Sequence, residues 1–162
     1  MDIKKNITIK QVWEILYSIS DPEIPVLSII DLGIIKHIEL LPNNEILINI
    51  TPTYTACPAM DAIAMSIKLE LLQIGFSKVT VNLILNPSWS TDDITENGKL
   101  KLKQYGIAPP KGKANILVEN GVECPQCNST NTVVISEFGS TACKALYKCN
   151  DCLEPFDYFK CY

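Results

Sequence analysis

The chain has 162 residues, 47% of them hydrophobic, and its 14 basic and 18 acidic side chains leave a net charge of −4. This composition excludes a disordered chain, and the negative charge does not attract nucleic acid unless a local basic patch does so. No apolar run approaches the roughly 20 residues that span a bilayer, and the first residues lack the apolar core of a signal peptide. We therefore expect a cytoplasmic protein with one ordinary domain and a small appendage.

The first predicted element is a helix that begins after Thr8. Gln11, three residues later, completes a capping box with this threonine. Apolar residues then recur at helical spacing: Val12, Ile15, Leu16 and Ile19. The helix should end near Ser20, because an Asp-Pro pair follows. Two strands are predicted next, at 34–41 and 45–51, and the Pro-Asn-Asn turn between them indicates a hairpin.

The middle of the chain continues with a second helix over 59–74, which Gly75 is placed to end. A third strand is predicted over 77–85. Because a helix connects it to the second strand, the two are either parallel neighbours or flank another strand. A final helix should run from a cap at Ser90 or Thr91 to about residue 105.

The order of these elements, helix-strand-strand-helix-strand-helix, predicts an α+β fold with a small α/β sandwich over residues 1–105. Residues 106–121 are rich in proline, glycine and lysine and have the composition of a linker. The remainder, 122–162, holds strand-like segments at 132–136 and 145–148, which predict a small ribbon. The ribbon's core is expected to form from a cluster of aromatic residues near its end: Phe156, Tyr158 and Phe159.

Two Cys-x-x-Cys pairs give this C-terminal segment its chemistry. Their cysteines are Cys124, Cys127, Cys149 and Cys152. Four thiolates on two tight turns can surround one Zn²⁺ tetrahedrally, and metal binding would supply the folding free energy that so short a segment lacks. A redox dithiol normally has a single such pair at a helix start, which argues against that role here. Cys143 and Cys161 are either extra or alternative ligands, which leaves an iron–sulfur cluster open beside the structural Zn²⁺, or thiols that pack beside the site or lie exposed.

A lone cysteine in the first domain, Cys57, precedes Pro58 at the start of the second predicted helix. With the proline at the first helical position, Cys57 would be the N-cap, and the helix dipole should lower its pKa. It would then serve as a nucleophile, a metal ligand or a cluster donor, whereas the simpler alternative is a buried apolar thiol. Asp21, Glu23 and Asp31 either surround this thiol or form turns of their own.

These residues together resemble a known family. Asp21-Pro22-Glu23, Asp31-Leu32-Gly33 and Thr53-x-x-x-Cys57-Pro58 are similar to three motifs of the iron–sulfur assembly domain of SufT-like proteins and cytosolic iron–sulfur targeting factors. The remainder resembles the D subunits (PaaD-like) of bacterial phenylacetyl-CoA epoxidase. That second resemblance rests on segments 86–92 and 105–110 and on the tail from Cys124 to Cys161.

The resemblance implies an accessory or maturation subunit of the multicomponent monooxygenase that epoxidises phenylacetyl-CoA in phenylacetate degradation. It implies that Cys57 is the reactive thiolate that accepts iron or a transient iron–sulfur cluster, with Asp21, Glu23, Asp31 and Thr53 in support. The expected partners are the epoxidase and reductase subunits and the iron–sulfur assembly machinery, with no membrane. The chain is not expected to be the oxygenase, because its single histidine cannot build a di-iron site.

Other interpretations stay open. In one, the ribbon is a protein- or nucleic-acid-binding module without assembly activity, although its acidic balance argues against nucleic acid. In another, Cys57 is the nucleophile of a thiol enzyme, but no resolving partner lies near it in sequence. The oligomeric state is also open, with a homodimer as one alternative.

Overall fold

The computed structural model describes residues 7–111 and 121–160 and forms two compact units, divided between Trp89 and Ser90. The α+β fold class is confirmed, with helices and a small sheet followed by a separate ribbon sheet. In the described part of the chain, no helix is long and apolar enough to cross a membrane.

The first unit begins with α1, Ile9–Ser18. The predicted capping box is confirmed: the Gln11 N–H donates to the Thr8 hydroxyl at 3.4 Å, and the Thr8 N–H donates to the Gln11 side chain at 2.9 Å. Val12 and Leu16 lie on the buried side of α1. The helix therefore packs through an apolar stripe, as its 3.6-residue spacing requires.

The sheet of this unit has three strands, β1 (Ile35–Leu41), β2 (Glu45–Ile50) and β3 (Lys78–Leu83), in the order β1-β2-β3. β1 and β2 form the predicted antiparallel hairpin, and β2 pairs with β3 in parallel. Of the two arrangements that the sequence left open, the parallel neighbours are therefore the observed one. Alternate residues of β2 are buried, so its isoleucines lie in the core. Burial of each isoleucine side chain stabilises the folded state by about 1.5–3 kcal/mol.

α2, Ala59–Ile74, is the crossover between the two parallel strands and has the predicted limits. Gly75 ends the helix with φ 120°, a backbone conformation that residues with a side chain rarely adopt. Its N–H donates to the carbonyls of Leu71 and Leu72. Because parallel strands end at the same sheet edge, the C-terminal ends of β2 and β3 share one edge, and the loop before α2 leaves from it.

The second unit contains α3 (Glu96–Gln104) and four strands: β4 (Ile107–Ala108), β5 (Thr132–Ser136), β6 (Lys144–Cys149) and β7 (Pro155–Phe159). The sheet order is β4-β7-β6-β5, antiparallel except for the parallel pair β4–β7. The expected aromatic core is confirmed, with Phe156, Tyr158 and Phe159 all buried. Tyr147 stacks against Phe156 with ring centroids 5.9 Å apart.

The final helix begins later than expected. Ser90 and Thr91 start a short 3₁₀ turn, and the cap of α3 is Thr95, whose hydroxyl accepts from the Gly98 N–H at 3.0 Å. The prediction of a cap at Ser90 or Thr91 was wrong because Asp93 closes a local capping box with Ser90, which ends that turn before the helix starts.

The compact units also differ from the domain limits expected from sequence. α3 and β4 lie in the second unit: β4, within the expected linker, pairs with β7, and the α3 residue Lys103 bonds to Glu123 at 3.0 Å and to Asn128 at 2.7 Å. These contacts are long-range, so no local composition indicates them. The limits 1–105, 106–121 and 122–162 stay predictions for the functional domains.

Candidate functional site

The loop between β2 and α2 places Cys57 at the start of the crossover helix. Its N–H donates to the Tyr54 carbonyl at 3.2 Å, and its carbonyl accepts from the Met60 N–H at 3.3 Å. Ala56 turns the chain with φ 59°, in the left-handed region. The helix cap is Pro58 rather than Cys57, so the predicted capping position was wrong by one residue. The thiol nevertheless stays beside the N–H groups of the first turn, which have no partner within the helix.

Cys57 is half-buried, and burial raises the pKa of its thiol. The Ala59 N–H, Tyr54 and Thr53 lower this pKa through hydrogen bonds to the sulfur, whereas the Glu23 carboxylate raises it by charge. Desolvation prevails, so the expectation of a lowered pKa was wrong. The helix start supplies one N–H, but that single bond does not outweigh the removal of the thiolate from water.

Tyr54 is a member of the site that the sequence analysis missed. Its hydroxyl donates to the Glu23 carboxylate, 3.2 Å from Oε1 and 3.5 Å from Oε2. Burial, then the neighbouring Cys57 and Glu23, raise the pKa of this phenol. Its position three residues before the cysteine, in one tight turn, is the signal that would have found it.

Asp21 and Asp31 organise their own loops. The Asp21 Oδ1 accepts from the N–H groups of Glu23 at 2.9 Å and Ile24 at 2.7 Å. Asp31 is 1% exposed, and its Oδ2 accepts from the Ser28 N–H at 3.1 Å and the Ser28 hydroxyl at 2.9 Å. These contacts are the turns that the sequence offered as the simpler alternative. Asp21 thereby fixes the segment that carries Glu23.

The described structure thus brings Glu23, Thr53 and Tyr54 to the Cys57 thiol. It places Asp21 and Asp31 in supporting turns, with the Trp89 ring nitrogen donating to the Leu32 carbonyl at 2.7 Å beside Asp31. A half-buried thiol with a carboxylate and a phenol close by can hold a soft metal ion through sulfur, with oxygen donors available.

The second unit contains the metal site. The sulfurs of Cys124, Cys127, Cys149 and Cys152 all lie within 4.8 Å of one another. Those of Cys124 and Cys152 are 3.7 Å apart, and those of Cys127 and Cys149 are 3.6 Å apart. A Zn–S bond of about 2.3 Å gives a tetrahedron edge of about 3.8 Å. The four sulfurs therefore fit Zn²⁺, which would draw them into a closed structural site.

The two knuckles are built alike. The residue after each Cys-x-x-Cys pair adopts the left-handed backbone conformation, Asn128 with φ 62° and Leu153 with φ 68°. In each, the first cysteine's N–H donates to the carbonyl five residues on, at 2.8 Å for Cys124 and 3.0 Å for Cys149. Burial and the neighbouring thiols raise the pKa of Cys152, whereas the backbone N–H groups of Cys152 and Asp151 lower the pKa of Cys149 to about 7. Such N–H···S bonds favour the thiolate form that binds metal.

Cys143 and Cys161 are the two further cysteines that the sequence offered as extra ligands. Cys143 is buried, with its sulfur 3.0 Å from the Thr141 hydroxyl, and it does not belong to the four-sulfur cluster in the described residues. Cys161 lies outside the described residues. The site described by the structure is therefore a four-cysteine one.

The fold and sites define an iron–sulfur assembly-type α+β unit followed by a zinc ribbon. The family described as iron-sulfur cluster assembly protein matches residues 9–83, and the PaaD zinc beta ribbon domain matches residues 108–160. A protein of Escherichia coli K12, named as the D subunit of 1,2-phenylacetyl-CoA epoxidase, is 46% identical over 94% of this chain and 93% of its own length. The chain belongs to this family of epoxidase D subunits.

Two further relatives each match part of the chain. An Fe-S protein maturation auxiliary factor of Porphyromonas gingivalis is 29% identical over 59% of this chain and 90% of its own length. The crystal structure of a domain of unknown function, DUF59, from Bacillus anthracis superimposes with a TM-score of 0.54 at 26% identity, covering 57% of this chain and 89% of the other. The resemblance drawn from the three sequence motifs is thus confirmed.

Proposed function

We propose that this chain is a maturation subunit of a phenylacetyl-CoA epoxidase system, in which Cys57 accepts iron or an iron–sulfur cluster destined for an enzyme of that system. The observation that carries the proposal is the placement of Cys57: a half-buried thiol at the start of α2, within reach of Glu23, Thr53 and Tyr54. The names of the two relatives, one an epoxidase subunit and one an Fe-S maturation factor, point to the same role.

A carrier thiol must bind its cargo and then release it. One thiolate with a few oxygen donors binds iron less tightly than a closed four-thiolate cage, because each additional ligand adds free energy of binding. Half-burial leaves the sulfur open to a partner protein while it limits access by water. The Cys57 site therefore suits transient loading, and the four-cysteine site suits a resident structural ion.

The partners in this proposal are the epoxidase and reductase subunits and the iron–sulfur assembly machinery, in the cytoplasm. A homodimer is compatible with it but not required by it. Nucleic acid is disfavoured as a partner of the ribbon. The few lysines of the described ribbon include Lys144, which is 6% exposed and lies 3.7 Å from the Asp157 carboxylate.

The test is complementation of a host whose own gene for this chain has been deleted. A Cys57→Ser variant should fold and accumulate like the wild type and yet fail to restore epoxidase activity. Cys143→Ser is the control, since it removes another thiol outside the metal cluster, and it should complement. Full complementation by Cys57→Ser would contradict the proposed function.

A further inference from the structure

The second unit contains a pocket whose walls are mostly apolar. Its volume is about 130 Å³, and its apolar wall includes Pro109, Val122, Pro125 and Tyr158. Val122 and Tyr158 are buried members of the hydrophobic core of the ribbon. Because an apolar cavity of about 150 Å³ binds one benzene ring, the pocket has nearly the size that a single aromatic ring needs.

Hydrogen bonds of the backbone hold two of these walls in place. β4 pairs with β7 in a register that sets Ala108 opposite Tyr158, so Pro109 follows directly beside that strand. The Val122 N–H donates to the Thr132 hydroxyl at 3.1 Å, and this hydroxyl donates to the Val122 carbonyl at 2.7 Å. The pocket is therefore largely formed before a ligand arrives, which reduces the free-energy cost of binding.

Among the residues that the structure describes, the charged side chains lining this pocket are two lysines and one glutamate. The Lys103 Nζ lies 3.0 Å from the Glu123 Oε1, and Lys111 pairs with the other oxygen of the same carboxylate. All three side chains are partly exposed, so the charged side of the pocket faces water. Two positive charges and one negative charge leave a net charge of +1, which attracts an anionic group.

We propose that this pocket binds an aryl carboxylate, with the aromatic ring against the apolar wall and the carboxylate at Lys103 and Lys111. A lysine ammonium has three N–H donors. Lys103 gives one to Glu123 and one to Asn128, so it can also donate to a ligand without breaking either bond. This binding site goes beyond the proposed function and does not involve Cys57.

The test is an NMR titration of the zinc-loaded full-length protein with three probes. Phenylacetate carries both a ring and a carboxylate, whereas benzyl alcohol lacks the charge and acetate lacks the ring. Phenylacetate should bind at least about tenfold more tightly than either of the others, because each of them loses one of the two interactions. The amide signals that shift should centre on Val122, Glu123 and Tyr158.

Two variants with opposite effects test the role of charge. Lys111→Met leaves one lysine against one carboxylate and should weaken phenylacetate binding about tenfold, the effect of losing a hydrogen bond to a charged group. Glu123→Gln leaves two positive charges and should strengthen it. Neither variant should change the affinity for benzyl alcohol. Lys10→Met is the control, since it removes a lysine with an 85% exposed side chain from the first unit, and it should change nothing.

Three results would overturn the proposal: no saturable shifts with phenylacetate, equal affinities for phenylacetate and benzyl alcohol, or an unchanged affinity in a Lys111→Met protein that retains its zinc. The comparison of the three probes on the wild-type protein decides the matter even if a variant fails to fold. Because none of these measurements involves Cys57, such a result would leave the proposed function standing.

Discussion

Replacement of Asp31 by alanine should destabilise the first unit strongly. The carboxylate is 1% exposed and accepts two hydrogen bonds from Ser28, which is itself 5% exposed. Without the carboxylate, the Ser28 N–H and hydroxyl stay buried with that partner lost. Each bond is worth about 1–3 kcal/mol when a buried group loses its partner, so the two together predict a loss of about 3 kcal/mol.

Tryptophan fluorescence is the assay for this loss, because both tryptophans of the chain, Trp13 and Trp89, lie in the first unit. For a unit of this size, each kcal/mol lowers the melting temperature by about 4–8 °C, so the expected shift is roughly 12–24 °C. Trp89 is well placed to report it, since its ring nitrogen donates to the Leu32 carbonyl at 2.7 Å, one residue from Asp31.

Asp61→Ala is the matched control for this experiment. Asp61 is an exposed aspartate in the first turn of α2, where its charge contributes only through the helix dipole. Its removal should cost about 0.5 kcal/mol, or roughly 2–4 °C. An Asp31→Ala protein that melts within this smaller range would refute the argument that Asp31 is the buried acceptor holding its loop.

Three further predictions follow from the same contacts. Cys149→Ser should abolish tight zinc binding and, in NMR spectra, the dispersed amide signals of β5 to β7, because the free energy of zinc binding, about 10–16 kcal/mol in zinc-finger peptides, contributes directly to folding. The melting transition of the two tryptophans, which lie in the first unit, should not change. A ribbon that stays folded after the zinc is chelated would contradict this prediction. Because burial raises the pKa of Cys57, its protonated, unreactive form prevails at neutral pH. The rate at which iodoacetamide alkylates Cys57 should therefore rise mainly at pH values above the ordinary thiol pKa of about 8.5. A half-maximal rate at a lower pH would contradict the raised pKa. Thr8→Ala removes the capping box of α1 and should lower the tryptophan melting temperature by about 4–8 °C, for a loss of about 1 kcal/mol; an unchanged curve would show that the cap contributes nothing.

Local signals predicted the local structure of this chain well. The capping box at Thr8, the end of α2 at Gly75 and the Pro-Asn-Asn hairpin turn each depend on residues within a few positions of one another, and each is found in the structure. The two Cys-x-x-Cys pairs likewise predicted the metal cluster, because the ligand type and the short spacing within each pair already define a knuckle.

Features that depend on distant partners were missed. The hydrogen bonds of Lys103 to Glu123 and Asn128, which lie 20 and 25 residues further along the chain, have no local sequence signal. The pKa direction at Cys57 depends on how deeply the sulfur is buried, which no motif reports. The hydrogen bond of Tyr54 to Glu23 joins residues 31 positions apart, so its place in the Cys57 turn does not indicate it.

The most direct test of the central claim, that Cys57 delivers iron or a cluster to an enzyme of the epoxidase system, is the iron and sulfide content of the reductase. The reductase would be purified anaerobically from deletion hosts that carry either the wild-type chain or the Cys57→Ser variant. The account predicts a reductase depleted in iron and sulfide from the Cys57→Ser host, at equal amounts of protein, and full occupancy from a Cys143→Ser host. A fully loaded reductase from the Cys57→Ser host would contradict it.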